Sequence, residues 1–303
     1  MSLCFTQLHI DAARNATDDF NLFHDKKRWA EIRNNPFQGP IVLGFQLAML
    51  IEDRVRQHRR QQGETTLIEE QGLDFSNYQF TFVNAVRPQM PFELEIKKTH
   101  LKNERLLNNR VLIRHHEQGV MLMGSKSESD HPLFLAESDF STLPDLDDVA
   151  DRSFLPGQPF FLKRKFMNTA NGKNFLLGSL VEQADYFDEL EDKVRFPEMF
   201  PAALISCALL ERAHKQQHDF RRDPMVYISH HISVDRRLAA ALRSNDRLNI
   251  LVQDPAIIEQ ARGIGVTGLT QHRYRCYGLL SGNRLLYRAE ISLIPLSEMI
   301  RLK

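Results

Sequence analysis

The chain has 303 residues, of which 26% are charged and 42% are hydrophobic, and its 39 basic and 39 acidic side chains give a formal charge of zero. This length and composition are typical of a globular protein with about two domains. A neutral chain has no overall field to attract nucleic acid or an anionic membrane, so neither is expected as a partner.

Membrane insertion and secretion are not expected either. The longest apolar stretch, Ile41–Ile51, is shorter than the roughly 20 residues that cross a bilayer. The first residues reach polar and acidic positions early, which is not the pattern of a signal peptide. The three cysteines, Cys4, Cys207 and Cys276, lie far apart without a CxxC motif, so no disulfide framework and no thiolate metal site is expected. We therefore predict a cytoplasmic protein.

The first half of the chain changes from helical to alternating patterning. Residues 9–30 have the spacing of short helices around a polar loop, and Phe45–Gln62 predicts one helix that is apolar at its start. The basic run at its end predicts a solvated helix terminus. Residues 73–129 alternate with a period of two, which predicts antiparallel strands, including Phe92–Lys97 and a hairpin that turns at His115–Gly119.

A stretch rich in acidic residues and proline, 144–159, predicts a linker, after which the element order repeats. The second half predicts a strand at Phe160–Met167, a connecting segment at Phe175–Val181 and a helix at Ala202–Gln217. Further strands are predicted at Tyr227–Val234, Leu248–Gln253, Arg273–Leu280 and Leu285–Ile294. We infer an α+β chain in which domains 1–143 and 160–303 each place a long helix against an antiparallel sheet, and in which the two sheets pair.

The strongest candidate for chemistry lies in the loop of the first helical region. Asp19 and His24 are a carboxylate and an imidazole five residues apart, with Asn21 between them. Such a pair can hold a water or a substrate proton between its two members, and an imidazole exchanges protons readily near neutral pH. The alternative interpretation is a hydrogen-bonded loop without catalytic function.

At these residues the sequence resembles the family of MaoC-like dehydratases and (R)-specific enoyl-CoA hydratases. The family signature Gly-Asp-x-Asn-Pro-Leu-His is matched in register by Asp19, Asn21 and His24, with Ala30 at a following small position. Its Pro-Ile-Val-His-Gly segment is matched by 40–44, and a later strand is echoed by 82–88. The resemblance covers about residues 5–125 and implies two tandem hotdog domains that form a pseudo-dimer.

The resemblance also implies roles for these residues. Asp19 and His24 would be catalytic: they would activate a water for addition to a trans-2-enoyl thioester and handle the proton at Cα. Asn21 would hold the loop or the water. Gly44 would offer its backbone N–H to the thioester oxygen, as expected of a helix N-terminus beside a developing negative charge.

Three positions depart from the family pattern, and the second half lacks the catalytic pair. Asp18 replaces glycine, Leu22 replaces proline and Leu43 replaces histidine. Asp tolerates a left-handed backbone, so Asp18 is expected to preserve the turn, although its carboxylate also lies beside Asp19. Superimposing Glu52 on Glu211 aligns Asp19 with Gly178 and His24 with Gln183, so one working site per chain is expected.

Two other patterns are interpreted as structural. The GxGxxG pattern at 263–268 follows a segment, Pro255–Arg262, that we predict to be helical and precedes a strand. That order is the reverse of a dinucleotide-binding fingerprint, so a loop is favoured. The adjacent pairs His115-His116 and His230-His231 lie in predicted strands, where neighbours face opposite sides, so neither pair can chelate one metal.

These observations predict a hydro-lyase, an enoyl-thioester hydratase or 3-hydroxyacyl dehydratase. No metal or redox cofactor is expected, because CoA or acyl carrier protein enters as part of the substrate. Two alternatives stay open: an acyl-CoA thioesterase, and a protein that binds acyl thioesters without turning them over. A homodimer is compatible with the pattern, and the acyl chain length is open.

Overall fold

Two successive units of the chain each pack helices against one face of an antiparallel sheet. The computed structural model describes residues 2–262 and 266–301. The helices are α1 Gln7–Thr17, α2 Gly44–Gln61, α3 Leu67–Glu70, α4 Thr169–Gly178, α5 Met199–Ala203, α6 Ile205–Lys215, α7 Arg236–Ala240 and α8 Leu296–Arg301. The strands are β1 Leu3–Cys4, β2 Phe75–Phe82, β3 Pro91–Ile96, β4 His100–Lys102, β5 Leu106–His115, β6 Gly119–Ser129, β7 Ser153–Phe154, β8 Phe160–Phe166, β9 Phe187–Asp188, β10 Lys193–Val194, β11 Met225–Asp235, β12 Arg247–Gln253, β13 Ala256–Arg262, β14 Val266–Leu280 and β15 Arg284–Pro295.

The two units share one continuous sheet. Its strand order is β1-β3-β5-β6-β2-β11-β15-β14-β12-β8-β7, with β4 on β5 and β13 on β14. The junction is the antiparallel pair β2–β11, whose register runs from Ser229 opposite Thr81 to Asp235 opposite Phe75. Because backbone hydrogen bonds cross this junction, the halves form one body, as the paired sheets predicted from the sequence require.

The long helix α2 is buried on all sides over its first half. Every residue from Phe45 to Asp53 is buried, and so are Val55 and Arg59. A helix that is apolar all round is expected only where protein surrounds it completely. Here the sheet covers one side and α4 and α5 of the other half cover the opposite side.

Helices α1 and α4 pack closely against each other near the same place. A Cβ atom on Gly178 would lie 2.7 Å from the backbone nitrogen of Ala13 and 2.8 Å from the carbonyl oxygen of His9. A side chain at this position would therefore push the two helices apart. The Gln46 side chain of α2 donates to the carbonyl of Gly178, which ties the helix pair to the central helix.

The structure confirms most predicted elements and corrects three. Helix α2, the hairpin at His115–Gly119 and the four later strands of the second half are present. The single helix predicted at Ala202–Gln217 is instead two helices, α5 and α6, which meet at Leu204. The segment predicted as a connection, Phe175–Val181, instead begins within α4. The segment predicted as helical, Pro255–Arg262, forms β13, since Ile257 and Ile258 extend alongside β14. Gly263, Ile264 and Gly265 of the GxGxxG pattern lie outside the described residues.

The segment predicted as a linker is built into the second half. It contains a short 3-10 helix, Leu146–Asp148, and β7, which pairs with β8. Leu146 and Leu155 are buried in a small apolar cluster with residues of β12 and β14. The domain limits 1–143 and 160–303 stay a prediction.

The basic end of α2 is not simply solvated. Arg59 is buried, with its Nε donating to Asn109 Oδ1 at 2.7 Å and its guanidinium paired with Glu128. Arg56 pairs with Asp53 at 2.7 Å and with Asp185 of the second half. The prediction of a solvated terminus is confirmed for Arg60 and Gln61, which are exposed, and wrong for Arg59, because β5 and β6 cover its side of the helix. Within the described part of the chain, no helix is both long and apolar enough to cross a membrane.

Candidate active site

The loop after α1 positions the Asp19 carboxylate. Asp18 ends the helix in a left-handed conformation, with φ 52° and ψ 36°, and its N–H donates to the carbonyl of Arg14. This turn directs the following residue inward, where Asp19 is 4% exposed. Asp19 Oδ1 then accepts the backbone N–H of Asn21 at 2.8 Å, the short-range turn that Asp and Asn favour.

Asn21 carries the chain from this turn into a 3-10 helix, Leu22–His24. Its Oδ1 accepts the N–H of Phe23 at 3.1 Å, so Asn21 caps the helix. The helix places His24 at the wall of a cavity, with the imidazole 4% exposed. The structure thus brings the predicted Asp19, Asn21 and His24 into one loop, with Asn21 and His24 lining the cavity.

The hydrogen bond of His24 assigns its tautomer. Its Nδ1 lies 2.8 Å from the carbonyl oxygen of Ile41, and because a carbonyl only accepts, Nδ1 carries the proton. Nε2 is then the free nitrogen, with a lone pair in the neutral ring. Burial lowers the pKa of His24 below 6.5, against the opposing effects of Asp19 and of the Ile41 carbonyl. At neutral pH His24 is therefore an uncharged base.

The second half completes the site with residues that sequence reasoning did not identify. Ser206, on α6, donates from its Oγ to Asp19 Oδ2 at 2.5 Å, and this serine is 1% exposed. The hydroxyl of Tyr227, on β11, lies 3.3 Å from Ser206 Oγ. With Asn21 on one oxygen and Ser206 on the other, the Asp19 carboxylate has a single orientation. No local pattern marks Ser206, because its partner is 187 residues away in sequence.

The cavity beside His24 is largely apolar. It has a volume of about 340 Å³ and lies between the loop, the start of α2, the end of β2 and strand β11. Phe37, Ile41, Leu47, Val83, Val226 and Met299 line it, together with the polar side chains of Asn21, His24, Asn84 and Tyr227. An apolar pocket with a few convergent polar groups is the usual form of a small-molecule site.

Gly44 lies at this cavity as the first residue of α2. A Cβ atom at this position would lie 2.9 Å from Cζ of Phe82 and 3.2 Å from Cε1 of His230. The absence of a side chain therefore has a packing reason in addition to the proposed approach of a substrate. The extended residues just before α2 are held by two backbone hydrogen bonds, from Ile41 N to Phe23 O and from Val42 N to Val86 O.

Comparisons with known proteins show structural but not sequence similarity. No family model matches the chain, and no curated protein matches its sequence. A solved structure described as a MaoC domain dehydratase from Chloroflexus aurantiacus J-10-fl superimposes with a TM-score of 0.59 at 9% identity, covering 97% of this chain and 93% of that one. A conserved hypothetical protein from Mycobacterium tuberculosis, described as a double hotdog fold, gives a TM-score of 0.54 at 12% identity, with coverage of 97% and 94%.

A third similar structure is larger. The full-length peroxisomal multifunctional enzyme type 2 from Drosophila melanogaster gives a TM-score of 0.51 at 8% identity, and the match covers 97% of this chain but 48% of the enzyme. The match to the first two proteins extends over almost the whole of both chains. The chain has the double hotdog fold of MaoC-like dehydratases.

The two hotdog units correspond in a different register from the one predicted. Asp18 after α1 and Leu180 after α4 both have left-handed backbones, with φ 52° and 59°. Matching these residues places Val181 opposite Asp19, and matching the 3-10 helices that follow places Asp185 opposite His24. The predicted alignment with Gly178 and Gln183 was wrong because the chain between the left-handed residue and the central helix is shorter in the second unit than in the first. The second unit nevertheless lacks the Asp–His pair, as predicted.

The three departures from the family pattern have separate explanations in the double hotdog fold. Asp18 keeps the left-handed turn, as predicted, and its exposed carboxylate pairs with Lys165 of the second half. Leu22 is buried in an apolar cluster with Phe23 and Ile32. Leu43 is 2% exposed and belongs to the main core. None of the three side chains lines the cavity.

The corresponding end of the second hotdog unit contains a network of charged side chains. The carboxylate of Glu52 accepts N–H bonds from Glu198 at 3.1 Å and from Met199, the first residue of α5, at 2.8 Å. A cavity of about 80 Å³ beside it is lined by charged groups that include Arg56, Arg59, Lys126, Glu198 and Arg236. Among residues 2–262 and 266–301, no cluster of His, Cys, Asp or Glu has the arrangement of a metal site.

Proposed function

We propose that this protein catalyses the reversible hydration of a trans-2-enoyl thioester to a 3-hydroxyacyl thioester, with the (R) configuration that the family resemblance implies. The observation that carries this proposal is a neutral His24, free at Nε2, at the wall of an apolar cavity and on the same loop as an Asp19 carboxylate that two hydrogen bonds hold in place. Gly44, at the N-terminus of α2, lies at the same cavity. The protein would then be a hydro-lyase.

In the proposed reaction the site adds the elements of water across the Cα–Cβ double bond. A water between Asp19 and His24 loses a proton to His24 Nε2 as its oxygen bonds to Cβ. The electron pair of the double bond moves toward the thioester, where the backbone N–H of Gly44 and the helix N-terminus stabilise the negative oxygen. The imidazolium then returns a proton to Cα, so that no net proton is gained or lost.

The cavity supports a thioester of an apolar acyl group. Its walls are mainly aliphatic and aromatic, and two of its polar side chains, Asn21 and His24, belong to the Asp19–His24 loop. The carrier would be CoA or acyl carrier protein, present as part of the substrate. The proposed chemistry uses no metal and no redox cofactor. A cytoplasmic location and a homodimer stay predictions.

Enoyl absorbance and thiol release distinguish hydration from hydrolysis. We would incubate the protein with crotonyl-CoA, a medium-chain trans-2-enoyl-CoA and the same acyl groups on acyl carrier protein, with a thiol reagent in a parallel sample. The expected result is loss of enoyl absorbance without free thiol, because hydration leaves the thioester intact. Chiral analysis of the product tests the (R) configuration.

Each other outcome rejects the proposal in a different way. Thiol release at the rate of substrate loss would indicate a thioesterase. No reaction with any of these thioesters, together with measurable binding of a saturated acyl-CoA, would indicate a binding protein that has kept the fold and not the chemistry. Neither result is compatible with a hydratase.

A further inference from the structure

A second cavity lies on the other side of the Asp19–His24 loop. It has a volume of about 100 Å³ and is formed by the last turns of α6 and by strands β11, β14 and β15. Asn21, Phe23, Met225 and Tyr227 line both this cavity and the larger one. The two spaces are thus separated by shared side chains, one of which, Met225, is unbranched and adapts readily to a ligand.

The second cavity is more polar than the first and contains a buried arginine. Arg212, on α6, is 4% exposed and lies at the cavity wall. Its Nη1 donates to Gln216 Oε1 at 2.9 Å, and its Nη2 pairs with Asp254, whose side chain is 60% exposed. The guanidinium also faces the ring of Tyr274, with 5.5 Å to the ring centroid.

One donor of this guanidinium is unused. Arg212 Nε is buried and has no hydrogen-bond partner among residues 2–262 and 266–301. A buried charged donor without an acceptor is costly. Several other buried guanidinium nitrogens also have no partner among the described residues, but among these arginines only Arg212 lines this cavity. A ligand oxygen in the cavity would supply the missing acceptor, and guanidinium groups favour carboxylate oxygens.

We infer that the acyl group of the substrate continues past Phe23 and Met225 into the second cavity, where Arg212 binds an oxygen acceptor at its distal end. The chemical class is an acyl thioester whose chain carries a terminal carboxylate or hydroxyl. This inference rests on the proposed function for the identity of the thioester. It adds that the chain is not a plain hydrocarbon and that the second hotdog unit recognises its end.

Binding of saturated thioesters tests this inference without requiring catalysis. We would measure the dissociation constants of acyl-CoAs of six to twelve carbons in three forms by calorimetry: unsubstituted, ω-hydroxy and ω-carboxy. At the chain length that spans both cavities, an ω-oxygen is expected to improve affinity about tenfold or more, the size of a hydrogen bond to a charged group. In Arg212→Met this advantage is expected to disappear, while binding of the unsubstituted thioester is kept.

Two further variants distinguish a loss of recognition of the ω-oxygen from a folding defect. Arg212→Lys keeps the charge and is expected to retain part of the preference for an ω-carboxylate over an ω-hydroxyl. Asp254→Asn removes the competing anion and leaves Arg212 in place, so its affinity for the ω-carboxylate is expected to rise. Equal affinity for the three forms at every length, or an equal loss for all three in Arg212→Met, would overturn the inference.

Failure of the inference and failure of the proposed function give different results. If enoyl thioesters are hydrated but the ω-oxygen has no effect on binding, only the inference fails. If the ω-oxygen strengthens binding but no enoyl thioester is hydrated, the proposed reaction fails and the recognition of the chain end by Arg212 stands.

Discussion

The two hotdog units place different chemistry at corresponding ends of their central helices. At the start of α2, Gly44 lies at an apolar cavity that is also lined by a neutral histidine, His24. At the start of α5, the backbone N–H groups of Glu198 and Met199 are already occupied by the Glu52 carboxylate, and charged groups fill the surroundings. A helix N-terminus is available to a ligand only where the protein supplies no acceptor of its own.

The same comparison explains how each unit contributes to the other. Ser206 extends from the second unit to orient Asp19, whereas Glu52 extends from the first unit to cap α5. Glu52 is eight residues after the first residue of α2, and Ser206 lies next to the residue that holds this position after the start of α5. Neighbouring, but not identical, helix positions therefore serve one unit as a support for Asp19 and the other as a structural cap.

The largest expected effect comes from the proposed catalytic pair. His24→Gln or Asp19→Asn is expected to lower kcat by about 10²–10⁴-fold, the contribution of general acid–base groups. Asp185→Asn, at the position that corresponds to His24, is the matched control and is expected to leave kcat unchanged. The measurement is the initial rate of enoyl-thioester hydration at saturating substrate. Similar rates for all three variants would contradict the assignment of catalysis to the end of the molecule that contains Asp19 and His24.

The support from the second unit is expected to have a smaller effect. Ser206→Ala removes a hydrogen bond to a charged group, worth about 1.5–3 kcal/mol, so kcat is expected to fall about 10- to 100-fold. KM is expected to change little, since Ser206 does not line the larger cavity. Ser179→Ala is the control, because the buried hydroxyl of Ser179 has no partner among the described residues. An unchanged kcat in Ser206→Ala would show that Asp19 is oriented without the second unit.

A substitution of Glu52, at the start of α5, is expected to change the free energy of unfolding and not kcat. Glu52→Ala leaves two N–H groups without an acceptor, each costing about 1–3 kcal/mol, so the free energy of unfolding is expected to fall by about 2–6 kcal/mol. Denaturant unfolding measures this change, and kcat should stay within about twofold of the unmodified protein. A loss of hydration activity in a Glu52→Ala protein that is fully folded would mean that the contacts at the start of α5 also affect the site at the start of α2.

The pH dependence of the free energy of unfolding tests the protonation state of Glu52. Burial, and then the neighbouring Glu198, raises the pKa of Glu52 to about 8, above its ordinary 4.5. Between these values the folded protein holds a proton that the unfolded chain has released. The free energy of unfolding that this bound proton contributes therefore decreases as pH rises, by up to about 1.4 kcal/mol per pH unit. Relative to Glu52→Gln, the unmodified protein should become less stable from pH 5 to pH 8, and parallel curves would contradict the raised pKa.

The smallest effect is expected at the turn before Asp19. Asp18→Gly introduces the glycine of the MaoC-like signature and relieves a left-handed conformation that costs most residues roughly 1–2 kcal/mol and Asp less, but removes the ion pair between the exposed Asp18 carboxylate and Lys165, worth about 0–1 kcal/mol. The melting temperature and the hydration rate should both stay close to those of the unmodified protein. A clear loss of rate would assign the Asp18 carboxylate a part in the reaction.

Much of the fold could be predicted because its local patterns are strong. The alternation in Phe92–Lys97 and the apolar start of Phe45–Gln62 correspond to β3 and α2. The prediction for Pro255–Arg262 failed because its pairing with β14 overrides a local helical spacing. The prediction of a solvated helix end failed at Arg59, because its burial depends on Asn109 and Glu128, which are distant in sequence.

The amino-acid sequence alone determined the α+β class, the duplicated order of elements and the Asp19–Asn21–His24 loop, since each of these depends on residues that are close together in the chain. The tertiary structure decided which side chains hold that loop in place. Ser206 meets Asp19, Glu52 caps α5 and Arg212 reaches a cavity bounded by Asn21 only after the two units share one sheet. Such contacts join residues that no periodicity relates, because they arise from the packing of one hotdog unit against the other.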